Sequence, residues 1–201
     1  ETVPDVGTEI RGYEHSNDDK WIIKPDSSCG MEVVSPPSKG WPGLKRALQV
    51  ADALARDPKI KVDKRCSVHV HIDVSDLSEA QLASFTSWYI KCEPIFIDAM
   101  PLERKRNRYC QFIGMNGTFQ HDQNYSDREI ITRCGDVKYY SMTTVNWCNG
   151  TRKTVEFRPI EGLGVKDPYL IKNWVRLLIH FVEMTTKMKR PLPYHEPKTE
   201  Q

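Results

Sequence analysis

Residues 66–74 read Cys-Ser-Val-His-Val-His-Ile-Asp-Val, and the alternation in this stretch decides how the chain is read. Val68, Val70, Ile72 and Val74 point one way; Ser67, His69, His71 and Asp73 point the other, as a strand requires. A helix follows. Ser78 with Gln81 three positions on is a capping-box signal, and Leu82, Phe85, Tyr89 and Cys92 form an apolar stripe at helical spacing. Upstream, Trp41 to Arg56 also reads as a helix, with Leu44, Ala47, Leu48, Ala51 and Leu54 recurring, Pro42 tolerated near its start and Pro58 closing it. Before that, Lys20–Lys24 and Met31–Ser35 read as strands joined by a turn at Pro25-Asp26-Ser27-Ser28. Downstream, Val137–Val145 and Lys153–Arg158 read as strands, the latter with Thr154, Glu156 and Arg158 on one face. Asp167-Pro168 starts a last helix, marked by Leu170, Trp174, Leu177, Leu178 and Phe181. The pattern weakens from Pro101 to about Asp136, which reads as a long functional loop with short elements. The polar stretch 1–19 is irregular, and the tail 189–201, rich in proline and charge, is expected to be mobile.

Composition narrows the classes. The 201 residues are 39% hydrophobic and 28% charged, the range of a globular chain, and they suffice for one domain over 1–188 with a true core. With 29 Lys+Arg against 27 Asp+Glu the net charge is +2, which argues against a dedicated nucleic-acid binder or a polybasic membrane anchor. No apolar run approaches the roughly 18 residues needed to span a bilayer. The six cysteines form no CxxC pair, which argues against a structural zinc site. Glycosylation sequons at Asn116, Asn124 and Asn149 would suit a secreted protein, but sequons arise by chance and no signal peptide is visible. The expectation is a cytoplasmic protein with free thiols. The first residue is Glu1 rather than Met, so a segment upstream is expected to be missing.

The polar strand faces are unusual in kind. They offer Glu32, then His69 and His71, then Glu156 and Arg158. Carboxylates and imidazoles at alternate strand positions can converge on a metal, and oxygen ligands with one imidazole suit Mg²⁺ or Mn²⁺. An arginine beside them would serve a phosphate or carboxylate through paired hydrogen bonds. Each feature also has a plainer reading. His-x-His can be a solvated strand face, Glu156 and Arg158 a same-face neighbour pair, and the basic run 104–108 a solvated loop.

The local wording around these residues resembles the amidoligase family. The stretches that carry the resemblance are Trp-Ile-Ile-Lys-Pro-Asp-Ser-Ser-Cys-Gly-Met-Glu-Val-Val-Ser-Pro-Pro (21–37), Cys-Ser-Val-His-Val-His-Ile-Asp (66–73), Arg-Lys-Arg-Asn-Arg-Tyr-Cys (104–110) and Thr-Val-Glu-Phe-Arg (154–158), followed by Trp174-x-x-Leu177. Their order and spacing agree over about residues 12 to 185. The resemblance places the chain in the superfamily of carboxylate–amine ligases, with glutamate–cysteine ligase and glutamine synthetase. It implies an α+β fold whose antiparallel sheet forms a funnel-like site with helices packed behind. It also implies ATP-dependent amide formation through an acyl phosphate, with Mg²⁺ or Mn²⁺, from a small carboxylate and an amine such as an amino acid or peptide. Carried over by position, Glu32, His69 and Glu156 would be metal ligands and His71 a nucleotide- or substrate-side contact. Arg158 would be the phosphate-stabilising arginine, and Arg104 and Asn107 would bind phosphate or a substrate carboxylate. Asp26 and Ser28 sit in the family's turn, and Glu161 is a weaker candidate.

One departure stands out. The family's opening strand, Gly-x-Glu-x-Glu, is only partly imitated by Gly7-Thr8-Glu9-Ile10-Arg11, with arginine at the second acidic position. This leads to the expectation that the first strand is absent, whether cut away, lost or supplied by a partner segment. A true loss would favour a non-catalytic structural or binding relative. A third reading is a small metal-dependent hydrolase using His69, His71 and Glu32.

Overall fold

The computed structural model describes residues 9–10, 20–105, 107–114, 119, 124–162 and 166–191. It has an α+β fold in which small, mainly antiparallel sheets are combined with helices. Where the sequence suggests one domain over 1–188, the chain divides into two compact units, one from residues 1–67 and 162–174, the other from 68–161 and 175–201. Among the described residues no helix is long and apolar enough to cross a membrane.

The first unit is built on a sheet in the order β1 (Glu9–Ile10), β2 (Ile22–Asp26), β3 (Gly30–Val34). Within the stretch that partly imitates the family's opening strand, Glu9 and Ile10 form a two-residue strand parallel to β2. Arg11, the residue that breaks the expected motif, lies outside the described residues. β2 and β3 form an antiparallel hairpin in register from Ile22 opposite Val34 to Asp26 opposite Gly30. Asp26 shapes its turn, accepting the Ser28 N–H at 2.7 Å and the Ser28 hydroxyl through the same oxygen. Gly30 leaves the turn at φ 97°, a conformation that side chains disfavour. Helix α1 (Gly40–Arg56) follows and buries Ala51; Trp21, Ile22, Ile171 and Trp174 are also buried in this unit.

The second unit holds the sheet β4 (Ser67–Asp73), β6 (Thr154–Glu161), β5 (Met142–Thr143), in that spatial order. β5 runs antiparallel to β6, with Met142 opposite Phe157. Helix α2 (Glu79–Asp98) starts at the expected capping box, Ser78 accepting the Gln81 N–H while the Gln81 side chain takes the Ser78 N–H. Its Phe85 and Tyr89 meet Phe157 edge-on, at 6.0 and 5.6 Å between ring centres. Phe96 and Phe181 complete the cluster, Phe181 coming from helix α6 (Pro168–Thr185). This aromatic layer takes up the Val155 and Phe157 face of β6 and leaves Glu156 and Arg158 to the opposite face.

Two segments differ from the sequence expectations. The stretch 101–136, expected to be a loop with short elements, contains helix α3 (Leu102–Lys105) and the nine-residue helix α4 (Asp127–Gly135). α4 has its own capping box at Ser126 and Glu129 and buries Ile130, Ile131 and Cys134. Ser126→Ala is expected to lower stability by about 1 kcal/mol, measured by urea denaturation, because it orphans an N-terminal N–H. The stretch 137–145, expected to be one strand, pairs with β6 as a strand only at Met142–Thr143. Its first part is held by Gln111, which donates to the Tyr139 carbonyl and accepts from Ser141 N–H, both at 2.7 Å. Its end is turned by Thr143 and Thr144, whose hydroxyls donate to the Cys134 and Ile131 carbonyls at 2.9 and 2.6 Å, and helix α5 (Val145–Cys148) begins there.

Candidate active site

β4 and β6 bring four of the expected residues together: His69, His71, Glu156 and Arg158. Alternation explains it, since residues two apart on adjacent strands share a face. Glu156 Oε1 is the centre. It accepts from Arg158 Nη2 at 2.7 Å and from His69 Nδ1 at 3.0 Å, and His71 Nε2 lies 3.8 Å away. His69 Nε2 faces Arg158 Nη1 at 3.5 Å. The contact with Glu156 makes His69 Nδ1 the donor. Asn146 Nδ2 donates toward His71 Nδ1 at 3.4 Å, which puts the His71 proton on Nε2.

The electrostatics follow from burial. Burial pushes the Glu156 carboxyl up, but the hydrogen bond from His69 and the charges of His71 and Arg158 outweigh it and hold the group at about 2. Burial lowers His71 below its ordinary value, against the pull of Glu156. Arg158 is 9% exposed, and its Nε is buried with no hydrogen-bond partner among the described residues. The buried Arg158 Nε–H thus has hydrogen-bonding capacity that the described side chains leave unmet.

The remaining candidates have their contacts elsewhere. Arg104, expected to bind phosphate or carboxylate, is 2% exposed and gives its guanidinium to the Arg158 carbonyl: Nε donates at 3.1 Å and Nη2 adds a shorter bond. The Arg158 N–H is meanwhile donated to the Ser141 carbonyl at 2.8 Å, so its backbone is fixed on both sides. Asn107 shapes a turn, its Oδ1 accepting the Tyr109 N–H at 2.8 Å. Glu32 belongs to the first unit, where Lys24 Nζ sits 3.0 Å from its carboxylate. Burial pushes the Cys110 thiol, against the lowering effect of Arg104, up to about 11.

A supporting residue escaped the sequence reading. Glu93 of α2 is 2% exposed and accepts from Ile113 N and Gly114 N, both at 2.9 Å, and from Ser141 Oγ at 2.5 Å. The Tyr89 hydroxyl donates to Ser141 Oγ at 3.2 Å. Glu93 thus holds Ser141, whose carbonyl holds Arg158. The available signal was its position four residues after Tyr89 on the buried stripe of α2.

A family model described as "Putative amidoligase enzyme" matches residues 7–182. The chain belongs to the amidoligase family. No curated protein and no solved structure matches it. The family description is that of a ligase in the general sense, and the match takes in both strands that carry the site. No three His, Cys, Asp or Glu side chains converge as a metal centre among the described residues. Arg158 and His69 both bond Glu156 Oε1, and His69 Nε2 lies 3.5 Å from Arg158 Nη1.

Proposed function

We propose that this amidoligase is an ATP-dependent carboxylate–amine ligase that forms an amide through an acyl phosphate, with small carboxylate and amine substrates such as amino acids or peptides. The observation that carries this reading is the buried Arg158 guanidinium with its free Nε, held beside His69 and His71. A carboxylate is a poor acyl donor until it is phosphorylated, and phosphoryl transfer rests mainly on positioning and charge stabilisation. Arg158 supplies both. Its Nε–H has no partner among the described residues, which a phosphoryl or carboxylate oxygen would supply, and Arg104, Ser141 and Glu156 fix its position. A charge held in place before the reaction costs no reorganisation in the transition state. His71, kept neutral at neutral pH and partly exposed, contacts the substrate and is available to take the proton of the attacking amine. A divalent ion accompanying the nucleotide would neutralise phosphate charge; the described residues present no finished set for it.

The test is ADP release by the full chain with ATP, Mg²⁺ and pooled carboxylates and amines. Turnover requiring both pools is expected, and Arg158→Ala should reduce it by about a hundredfold or more. The closed Glu156–Arg158 pair would equally suit a non-catalytic binding relative, which would bind nucleotide without turnover. Absence of nucleotide binding would sink the ligase reading.

A further inference from the structure

The stretch 104–110 divides its work between inner and outer residues. Arg104 and Asn107 face structural tasks, the Arg158 carbonyl and the turn. The turn presents Arg108 and Tyr109 at the surface. The Arg108 guanidinium lies 4.8 Å from the centre of the Tyr109 ring and donates to its hydroxyl at 2.7 Å. Tyr109 meets Tyr139 edge-on at 5.2 Å. Tyr139 in turn has Lys138 Nζ at 4.9 Å and the Arg158 guanidinium at 5.7 Å from its ring centre. Arg158, Lys138 and Arg108 are therefore three cations mounted on two adjoining tyrosine rings. Gln111 braces this arrangement, bonding the Arg108 carbonyl through its side chain at 3.0 Å and the Tyr139 carbonyl through its backbone at 2.7 Å.

Arg158 is compensated by Glu156, whereas the two outer charges are not matched in this way. Exposed Arg56, Arg65 and Arg128 each hold an aspartate or glutamate at 2.9, 2.8 and 3.1 Å. Among the described residues Arg108 and Lys138 have no such partner; tyrosine faces orient them without cancelling their charge. The ring positions also say what the ligand is not. Tyr139 already carries two cations and the Tyr109 contact, which leaves it poorly placed to stack a base. An extended polyanion fits better than a flat ring.

We propose that Arg108 and Lys138, set on the Tyr109–Tyr139 pair, form a polyphosphate subsite that continues from Arg158 and takes the phosphate chain of a nucleotide. The proposal rests on the ligase reading for the nucleotide, and on the cation array for the location.

Calorimetric titration of the full chain with inorganic tripolyphosphate and with ADP tests it. The double variant Arg108→Ala/Lys138→Ala should weaken both probes by about tenfold or more, since charge-assisted contacts to phosphate are lost. Lys45→Ala/Lys64→Ala, which removes the same charge from exposed positions of the first unit, should change them by less than about twofold. Arg108→Gln/Lys138→Gln, which keeps much of the side-chain volume, should match the alanine pair. If both Arg108/Lys138 variants bind like the parent while Arg158→Ala loses binding, the subsite is overturned and the ligase reading stands. If the parent binds neither probe, both fall. Equal weakening by the Lys45/Lys64 control would reduce the effect to net charge and also overturn the subsite.

Discussion

Glu156→Gln is expected to destabilise the protein by about 3–5 kcal/mol, because it strips a buried arginine of its counter-charge without removing the arginine. Arg158 would keep its cation at 9% exposure, facing an amide that cannot answer it. The pH dependence should identify the cause. The folded Glu156 carboxyl titrates at about 2 against an ordinary 4.5, so its contribution is complete above pH 4.5 and is lost as pH falls toward 2. That interval corresponds to about 3 kcal/mol. His71, whose value is depressed, adds to acid lability, since the folded protein resists the proton that the unfolded chain accepts below about 6.5. Urea denaturation from pH 2 to 7 should show the parent losing stability steeply below pH 4.5 and the glutamine variant losing much less there. A variant as stable as the parent at pH 7 would mean that the pair is not the buried ion pair described above.

Glu93→Ala should cost a similar amount, about 3–5 kcal/mol, for a different reason. The substitution leaves the Ile113 and Gly114 N–H groups and the Ser141 hydroxyl without their acceptor, two of the three donors lying in fully buried surroundings. Glu93→Gln should be only partly better, because one of its two terminal atoms is a donor facing donors. The sign with pH is opposite to that of Glu156. Burial raises the Glu93 carboxyl above its ordinary value, outweighing the hydrogen bonds from Ser141, Gly114 and Ile113. Its titration therefore favours the fold at low pH, and that part is lost as pH rises through the folded value. Denaturation profiles of the two variants should deviate from the parent in opposite senses across the acid range.

Much of the site was legible because strands write their faces into the sequence. Val-His-Val-His-Ile-Asp and Thr-Val-Glu-Phe-Arg both alternate, and alternation alone places His69, His71, Glu156 and Arg158 on shared faces. Whether those side chains would bind a metal or each other was not written there, since it depends on distances of a few ångströms between strands. The bond from Arg104 to the Arg158 carbonyl was not legible, because a backbone carbonyl has no signature in the sequence. The same holds for Asn107, whose oxygen serves the N–H two residues on. Helix α4 was hidden by its polar approach, although Ser126 and Glu129 spell the same start signal that located α2. The valines and threonines of 137–145 suggested a longer strand than formed, because threonine hydroxyls can bond nearby carbonyls and turn the chain.

The protonated thiol of Cys110 constrains the chemistry from another side. Amide synthesis has a covalent route in which a cysteine sulfur carries the acyl group as a thioester, and that route needs a thiolate. Cys110 is close enough to Arg104 for that charge to act on it, yet burial holds it at about 11. Burial likewise raises Cys29, Cys92, Cys134 and Cys148. At neutral pH these five sulfurs are poor acyl carriers, so a thioester route through any of them is disfavoured.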